Sequence, residues 1–299
     1  MSKVVIPSKK SSTLFGNGQT TIIQASAFHI PLKDESVQCI VTSPPYFNLR
    51  KYLGNSPDAF GQEKTIAEYI QHSVDVLREC RRVLGNDGVA FWNIGDSYSG
   101  SSKGNGGKNA PKKGCGTKAG ATHAEVPTKN LCLIPNRIAI AAQEDGWWVR
   151  DQIIWYKPNT MPESVEDRCT RSYEVILMLT KQRKYYFDSK AIEEPAVCAQ
   201  QDLSKSRHKR NVWFIPTRPH EDAHIAMFPE EIPRLCIKAA SKKGQTVLDP
   251  FAGSGTTGIV ANELGRNAVL VEISSEYVKL MKERFKALED EDASLKKAA

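Results

Sequence analysis

The sequence predicts an α/β fold built on a doubly wound, mostly parallel sheet. Three observations predict it. Short apolar runs alternate with stretches of helical spacing through most of the 299-residue chain, the order that covers both faces of a parallel sheet with helices. One such run, Gln245 to Leu248, ends in Asp249-Pro-Phe-Ala-Gly-Ser-Gly255, an acid and a glycine-rich turn that lead into a helix-like stretch from Thr256. Another, Cys39-Ile40-Val41, stops at Ser43-Pro44-Pro45-Tyr46.

Taken in order, Thr20 to Gln24 reads as a strand, and Val37 to Val41 as the next, halted by the two prolines. Between Thr65 and Leu84 the apolar residues Ile66, Tyr69, Ile70, Val74, Leu77 and Val83 recur at helical spacing, and Thr65 with Glu68 forms a capping box. Asn86-Asp87-Gly88 reads as a turn and Val89 to Ile94 as a strand. Residues 97–130 are rich in glycine and lysine and cannot bury much apolar surface; such a loop is functional or solvated, and both readings stand. Ile134 to Glu144 returns to helical spacing, while Trp147–Trp155, Glu174–Thr180 and Lys184–Asp188 read as strands. Residues 189–222 are polar and aperiodic. A helix over Pro229–Ala240, a strand over Thr246–Leu248, a helix over Thr256–Leu264, a strand over Ala268–Glu272 and a helix over Ser275–Leu288 complete the chain.

Hydrophobic residues make up 40% of the sequence, enough for a real core, and a net charge of +7 permits a polyanionic partner without requiring one. The seven cysteines are scattered, with no C-x-x-C pair, and read as buried or free thiols in a reducing compartment. No run approaches the length of a membrane helix and the first ten residues do not read as a signal peptide, so the expectation is a soluble, cytoplasmic protein with no membrane partner. No metal-ligand spacing is present, and neither are the G-x-S-x-G and H-E-x-x-H templates.

The turn at 249–255 suits a small-molecule site. In doubly wound sheets the ligand lies beyond the carboxyl ends of the strands. Gly253 and Gly255 can take positive φ, helix-start amides face the same space, and Glu272 ends the next strand where an acid can hold ribose hydroxyls. A nicotinamide site is one reading. It is weakened by the Asp-Pro-Phe that stands where that fingerprint expects the strand to run straight into its glycines.

Asp249-Pro-Phe-Ala-Gly-Ser-Gly-Thr-Thr257 resembles the cofactor motif of the amino-methyltransferases that modify DNA. The resemblance implies a Rossmann-like methyltransferase fold with a small inserted recognition region, and S-adenosyl-L-methionine as cofactor. It implies cofactor contacts by Asp249, Phe251, Gly253, Ser254, Gly255, Thr256 and Glu272. His224-Ile-Ala-Met-Phe-Pro-Glu230 resembles the family's other cofactor segment and adds His224, Phe228 and Pro229. Ser43-Pro-Pro-Tyr46 resembles its catalytic tetrapeptide, and its place ahead of the glycine motif resembles the permuted beta order. Ile154-Trp-Tyr-Lys-Pro-Asn and Arg171-Ser-Tyr-Glu-Val-Ile-Leu-Met-Leu-Thr-Lys resemble stretches between the two halves. One departure is Ala25-Ser26, where the family often has Gly-Asp, so no adenine-binding acid is assigned.

The tetrapeptide suits amine chemistry. The amino group of a nucleobase is a poor nucleophile because its lone pair is delocalised into the ring. Accepting hydrogen bonds from both amino protons turns the nitrogen toward tetrahedral geometry, and the rest is alignment. Ser43 supplies a side-chain oxygen and Pro44 a main-chain carbonyl, Pro44 and Pro45 stiffen the loop, and Tyr46 offers a face for stacking. Serine in the first position resembles the cytosine-N4 branch, whereas Asp or Asn is more typical of adenine-N6; adenine stays open. Serine's own proton needs a partner that the sequence does not reveal. A relative that binds DNA and has lost catalysis is the alternative from another class.

The resemblance implies double-stranded DNA as partner, a flipped base, a prokaryotic or phage source, restriction-modification with a cognate endonuclease, and a monomer or homodimer. The expected organisation is a catalytic half over 1–184 with a mobile loop at 97–130, a target-recognition region over 185–222, a cofactor half over 223–290 and a frayed tail over 291–299. Lys205, Arg207, Lys209 and Arg210 are candidate phosphate contacts. Trp147 and Trp148 read as core residues.

Overall fold

The computed structural model describes residues 9–15, 18–47, 60–100, 126–196, 206–217 and 228–298. In chain order the elements are β1 (Lys9–Phe15), β2 (Gly18–Gln24), β3 (Val37–Thr42), α1 (Ile66–Val83), β4 (Leu84–Ile94), α2 (Ile134–Glu144), β5 (Trp148–Tyr156), β6 (Tyr173–Thr180), β7 (Glu194–Pro195), β8 (Ser206–Arg207), β9 (Val212–Phe214), α3 (Glu231–Ala240), β10 (Thr246–Asp249), α4 (Thr256–Glu263), β11 (Asn267–Glu272) and α5 (Ser275–Ala298). Nine strands form one sheet in the order β1-β2-β11-β10-β3-β4-β6-β5-β9. The run from β2 to β4 is parallel throughout. β6 is antiparallel to both β4 and β5, and β1 to β2.

The central strands are buried on both faces because helices cover both. Ile66, Tyr69, Leu77 and Val83 of α1 and Ile134 and Ile138 of α2 pack on one face with Ile40, Trp92 and Leu177. On the other, Ile232, Cys236 and Ile237 of α3 and Val260 and Ala261 of α4 meet Cys39, Val41, Val89 and Val247. Met281 and Phe285 of α5 cover Ile22, Ile259 and Leu270. The capping box forms as the sequence indicates: Thr65 Oγ1 accepts from Glu68 N and the Glu68 carboxylate accepts from Thr65 N.

Several elements differ from expectation. Asn86-Asp87-Gly88 is not a free turn: between Val37↔Leu84 and Cys39↔Val89 the register of β3 on β4 shifts, so these residues bulge from a strand that starts earlier, leaving Asn86 and Asp87 exposed. Lys184–Asp188 is not a strand. It crosses the sheet face with single bonds, Tyr186 N to the Asp87 carbonyl at 2.9 Å and Asp188 N to the Ala239 carbonyl at 2.7 Å, while Tyr185 and Phe187 pack on the α3 side of the core. Its hydrophobicity serves packing, not pairing. Residues 212–214 of the expected recognition region form β9 and extend the main sheet beside β5. α5 continues to Ala298, so the backbone of the tail expected to fray is helical. Trp147 is 2% exposed, as expected of a core residue, but Trp148 is 44% exposed, because neighbours on a strand point to opposite faces. The stems of the loop at 97–130 are zipped by Ser99 N to the Asn130 carbonyl, Lys129 N to the Ser99 carbonyl and Cys132 N to the Ser97 carbonyl; residues 101–125 lie outside the described residues. Cys39, Cys80, Cys132 and Cys236 are buried free thiols and Cys169 is an exposed one. No described helix is long and apolar enough to cross a membrane.

Candidate functional site

β10 and β3 are neighbours, yet the chain leaves them in opposite directions. From β10 it passes through α4 to β11, and from β3 through α1 to β4 on the other side. This is the point in a doubly wound sheet where a crevice opens beyond the strand ends. The pairings Val247↔Cys39 and Leu248↔Ile40 bring the acid that ends β10 level with the end of β3. Thr42 Oγ1 donates to Asp249 Oδ1 at 2.7 Å, so the residue before Ser43 is bonded to the first residue of the glycine turn. Asp249 also accepts from Thr257 Oγ1 at 2.7 Å and from Phe251 N at 3.1 Å. Burial pushes its carboxyl up to about 6, against the lowering effect of those donors.

The glycine turn is held from three sides. Gly253 and Gly255 both take positive φ, and Gly255 caps α4 at φ 84°; a Cβ there would lie 3.0 Å from Phe285 Cε2. Gly253 N donates to Glu272 Oε2 and Ser274 N to Glu272 Oε1, both at 2.9 Å. Burial raises the Glu272 carboxyl, with the backbone donors opposing. From α5, Arg284 Nη1 donates to the Ser254 carbonyl at 3.2 Å and to Thr256 Oγ1 at 3.3 Å. Arg284 also pairs at 3.9 Å with Glu230, the residue that follows Phe228-Pro229. Ser254 and Thr256 are buried. Half-buried Phe251 stands against Phe60 and Trp92, with ring centroids 5.1 and 6.1 Å away. His224 lies outside the described residues.

These features fit a nucleoside-bearing cofactor. Among the described residues, a Cβ added at Gly253 would meet only the Phe251 carbonyl, at 4.0 Å, so they leave space above it. The Phe251 ring supplies an apolar wall. Each Glu272 oxygen keeps a lone pair beyond the backbone bond it accepts, which is what ribose hydroxyls need.

The tetrapeptide is braced from below. Pro44 is buried, and Tyr69 OH donates to the Pro45 carbonyl at 3.0 Å. Ser43 Oγ donates to Tyr46 OH at 3.4 Å and accepts from Asn93 Nδ2 at 3.3 Å. Asn93 Nδ2 also donates to Tyr46 OH at 2.8 Å and to Glu174 Oε2 at 3.0 Å. Tyr46 OH donates to Glu174 Oε2, and Lys157 Nζ to Glu174 Oε1. One side of the Tyr46 ring backs onto Gly95, where a Cβ would come within 2.7 Å of Cε2. That side is closed to a stacking base.

The sequence model of the DNA methylase family, the N6/N4 amino-methyltransferases, matches residues 37–283. The chain belongs to this family. Its relatives include the type II methyltransferase M.SmaI of Serratia marcescens, 46% identical over 259 residues and 85% of each chain. Another is the type II methyltransferase M.Cfr9I of Citrobacter freundii, 41% identical over 308 residues, 97% of this chain and 98% of the relative. The fold matches PvuII DNA methyltransferase (cytosine-N4-specific) with a TM-score of 0.66 at 17% identity, over 94% of both chains. A putative DNA modification methylase of Thermus thermophilus, solved in complex with S-adenosyl-L-methionine, superposes with a TM-score of 0.58 at 25% identity, over 88% of this chain and 92% of that one. The methylase is an S-adenosylmethionine-dependent enzyme acting on DNA.

Of the candidate DNA contacts on the methylase, Lys205 lies outside the described residues. Arg207 and Lys209 are both held by Glu194, at 3.0 and 3.7 Å, and Arg210 is exposed. Among the described residues no group of His, Cys, Asp and Glu could hold a metal. Asn93, Lys157 and Glu174 carried no assigned role from sequence. Lys157 and Glu174 sit in the two family-like stretches between the halves, and that was the only sign of them.

Proposed function

We propose that this chain is a cytosine-N4-specific DNA methyltransferase of a type II restriction-modification system, acting on a base flipped out of double-stranded DNA. The observation that carries the reading is the junction of the two motifs: the Thr42–Asp249 bond joins the residue before Ser43 to the acid that opens the glycine turn, which supports a shared site for the two. S-adenosylmethionine bound against Phe251, Gly253 and Glu272 supplies an electrophilic methyl on its sulfonium. Ser43 Oγ and the Pro44 carbonyl accept hydrogen bonds from the two N–H groups of the target amine, which turns its nitrogen lone pair out of conjugation; once the N–CH3 bond has formed, one amine proton leaves to solvent. Buried Pro44 and the Tyr69–Pro45 bond keep both acceptors fixed, so their orientation is set before the base arrives. Serine at position 43, a neutral acceptor where the adenine branch more often has Asp or Asn, supports cytosine. The relatives named as type II methyltransferases support a partner endonuclease acting at the same site.

The test is to incubate the protein with tritiated S-adenosylmethionine and unmethylated duplex DNA, then digest the product to nucleosides. N4-methylcytosine is expected. N6-methyladenine in its place overturns the cytosine assignment, and no label on DNA despite tight DNA binding favours a catalytically silent binder.

A further inference from the structure

Serine is an ambiguous partner for an amine. Its oxygen can accept, but its proton can equally face the substrate and oppose the amino hydrogens. We propose that Glu174, anchored by Lys157, sets the hydrogen-bond sense of Ser43 through Tyr46 and Asn93, and is thus a positioning residue for the transfer. The inference rests on the reading of Ser43 as acceptor for the exocyclic amine.

The reasoning is a count of protons and lone pairs. An ionised carboxylate only accepts, so it takes the Tyr46 hydroxyl proton. The Tyr46 oxygen is then left with two lone pairs. One accepts from Asn93 Nδ2 at 2.8 Å and the other from Ser43 Oγ at 3.4 Å. Ser43 has therefore committed its proton away from the crevice. Asn93 Nδ2 has two protons for three acceptors, Tyr46 at 2.8 Å, Glu174 at 3.0 Å and Ser43 at 3.3 Å, so Ser43 receives at most a shared one and keeps at least one lone pair for a substrate N–H.

Two further observations agree. The Asn93 amide nitrogen faces Ser43, Tyr46 and Glu174, although this leaves its buried Oδ1 without a hydrogen-bond partner among the described residues. An unpaired buried carbonyl costs free energy, so that orientation holds only where the cluster is rich in acceptors. The Lys157 and Glu174 side chains are 19% and 14% exposed, and Lys157 Nζ lies 4.5 Å from the centre of the Trp155 ring. A lysine held this way keeps one Glu174 oxygen turned to itself and the other to Tyr46. Burial and the neighbouring carboxylate raise the Tyr46 phenol, which keeps its proton in place for the bond.

The test is Glu174→Gln. Lys157 can only donate, so the glutamine must turn its oxygen toward Lys157 and its NH2 toward Tyr46. That NH2 also meets the Asn93 NH2, so the acceptor that held the Tyr46 proton and the Asn93 amide is gone, and the Ser43 proton is no longer committed away from the crevice. We expect kcat to fall roughly tenfold to a hundredfold, the range for losing an orienting partner behind a reactive group. S-adenosylmethionine binding, measured by calorimetry, should stay within about twofold. The double variant Lys157→Met/Glu174→Gln removes the constraint on the amide, lets its oxygen face Tyr46, and should recover most of kcat. A merely packing role predicts no such recovery. The inference is overturned if Glu174→Gln keeps kcat within about twofold of wild type, or if the double variant binds cofactor normally and is no faster. Should Glu174→Gln not fold, Tyr46→Phe carries the test: it frees the Ser43 proton without changing shape, and unchanged turnover would overturn the proposal. Tritium transfer to any base is counted, so methylation of adenine would sink the cytosine assignment while leaving this outcome readable.

Discussion

Asp249→Asn isolates the energetic strain at the junction of the two halves. Asp249 is 2% exposed and, among the described residues, has Thr42, Thr257 and the Phe251 amide to replace water. Its carboxyl is raised from 3.8 to about 6 by burial. A raised carboxyl means that the native state holds its proton to higher pH than the unfolded chain does. Between the two values the native state binds more protons, so stability falls as pH rises through that window. Across the whole window the loss is about 3 kcal/mol. Integrated only from pH 5 to pH 7.5, where folding can be measured, it is on the order of 1 kcal/mol.

Asparagine at 249 keeps an oxygen for Thr42 and the Phe251 amide. Its NH2 can donate to Thr257, whose hydroxyl already lies 3.5 Å from the Val41 carbonyl and can turn to donate there. The variant should fold and lose this pH dependence. The assay is urea denaturation of cofactor-free wild type and variant at about pH 5 and about pH 7.5. Wild type should lose on the order of 1 kcal/mol more than the variant between them. Other carboxyls cancel in the difference, except Glu272, which the Asp249 charge helps to raise. Relieving that coupling in the variant adds to the difference with the same sign. A flat difference, or a wild type that gains on the variant as pH rises, would refute the reasoning.

Ser43→Ala should leave S-adenosylmethionine affinity within about twofold and lower kcat by about a hundredfold or more, as loss of a fixed hydrogen-bonding group at a reacting centre does; equal loss of binding and turnover, by calorimetry and tritium transfer, would remove Ser43 from that role. Glu272→Gln has one oxygen for two backbone donors, Gly253 N and Ser274 N. It should weaken cofactor binding about tenfold or more, the equivalent of one charge-assisted hydrogen bond, and calorimetry showing unchanged affinity would rule out Glu272 as the ribose acceptor.

Much of the fold was legible because its signals are local. The capping box at Thr65 and Glu68, the period of α1, and the breaks at Pro44-Pro45 and Gly253–Gly255 are each set within a few residues. The misread pieces depend on distant partners. Lys184–Asp188 has strand-like composition, but β5 takes one edge of β6 and β4 the other, so no edge of that strand remains for it. Trp148 looks like its neighbour until the strand's alternation separates them. The polar cluster behind Ser43 shows the same limit. Asn93, Lys157 and Glu174 come from β4, the end of β5 and β6, and they meet only because β6 lies between the other two strands. Nothing in the sequence near any of them signals the others.

The serine's missing proton partner shows why the chain order of the two halves does not matter to the chemistry. The stretch that carries the glycine turn comes last in sequence, yet β10 inserts between β11 and β3, so its acid meets Thr42 across one strand spacing. β3 is bounded on its other side by β4, which brings Asn93 to Ser43. Ser43 is therefore fixed from both neighbours of its own strand. Through Thr42 it is tied to the acid that opens the glycine turn, and through Asn93 and Tyr46 to the Lys157–Glu174 pair. Any connection that preserved this strand order would preserve those bonds, whichever half came first. A change that displaced β10 from β3 by one residue would turn Asp249 to the opposite face of the sheet and uncouple the two halves while leaving each motif intact in sequence.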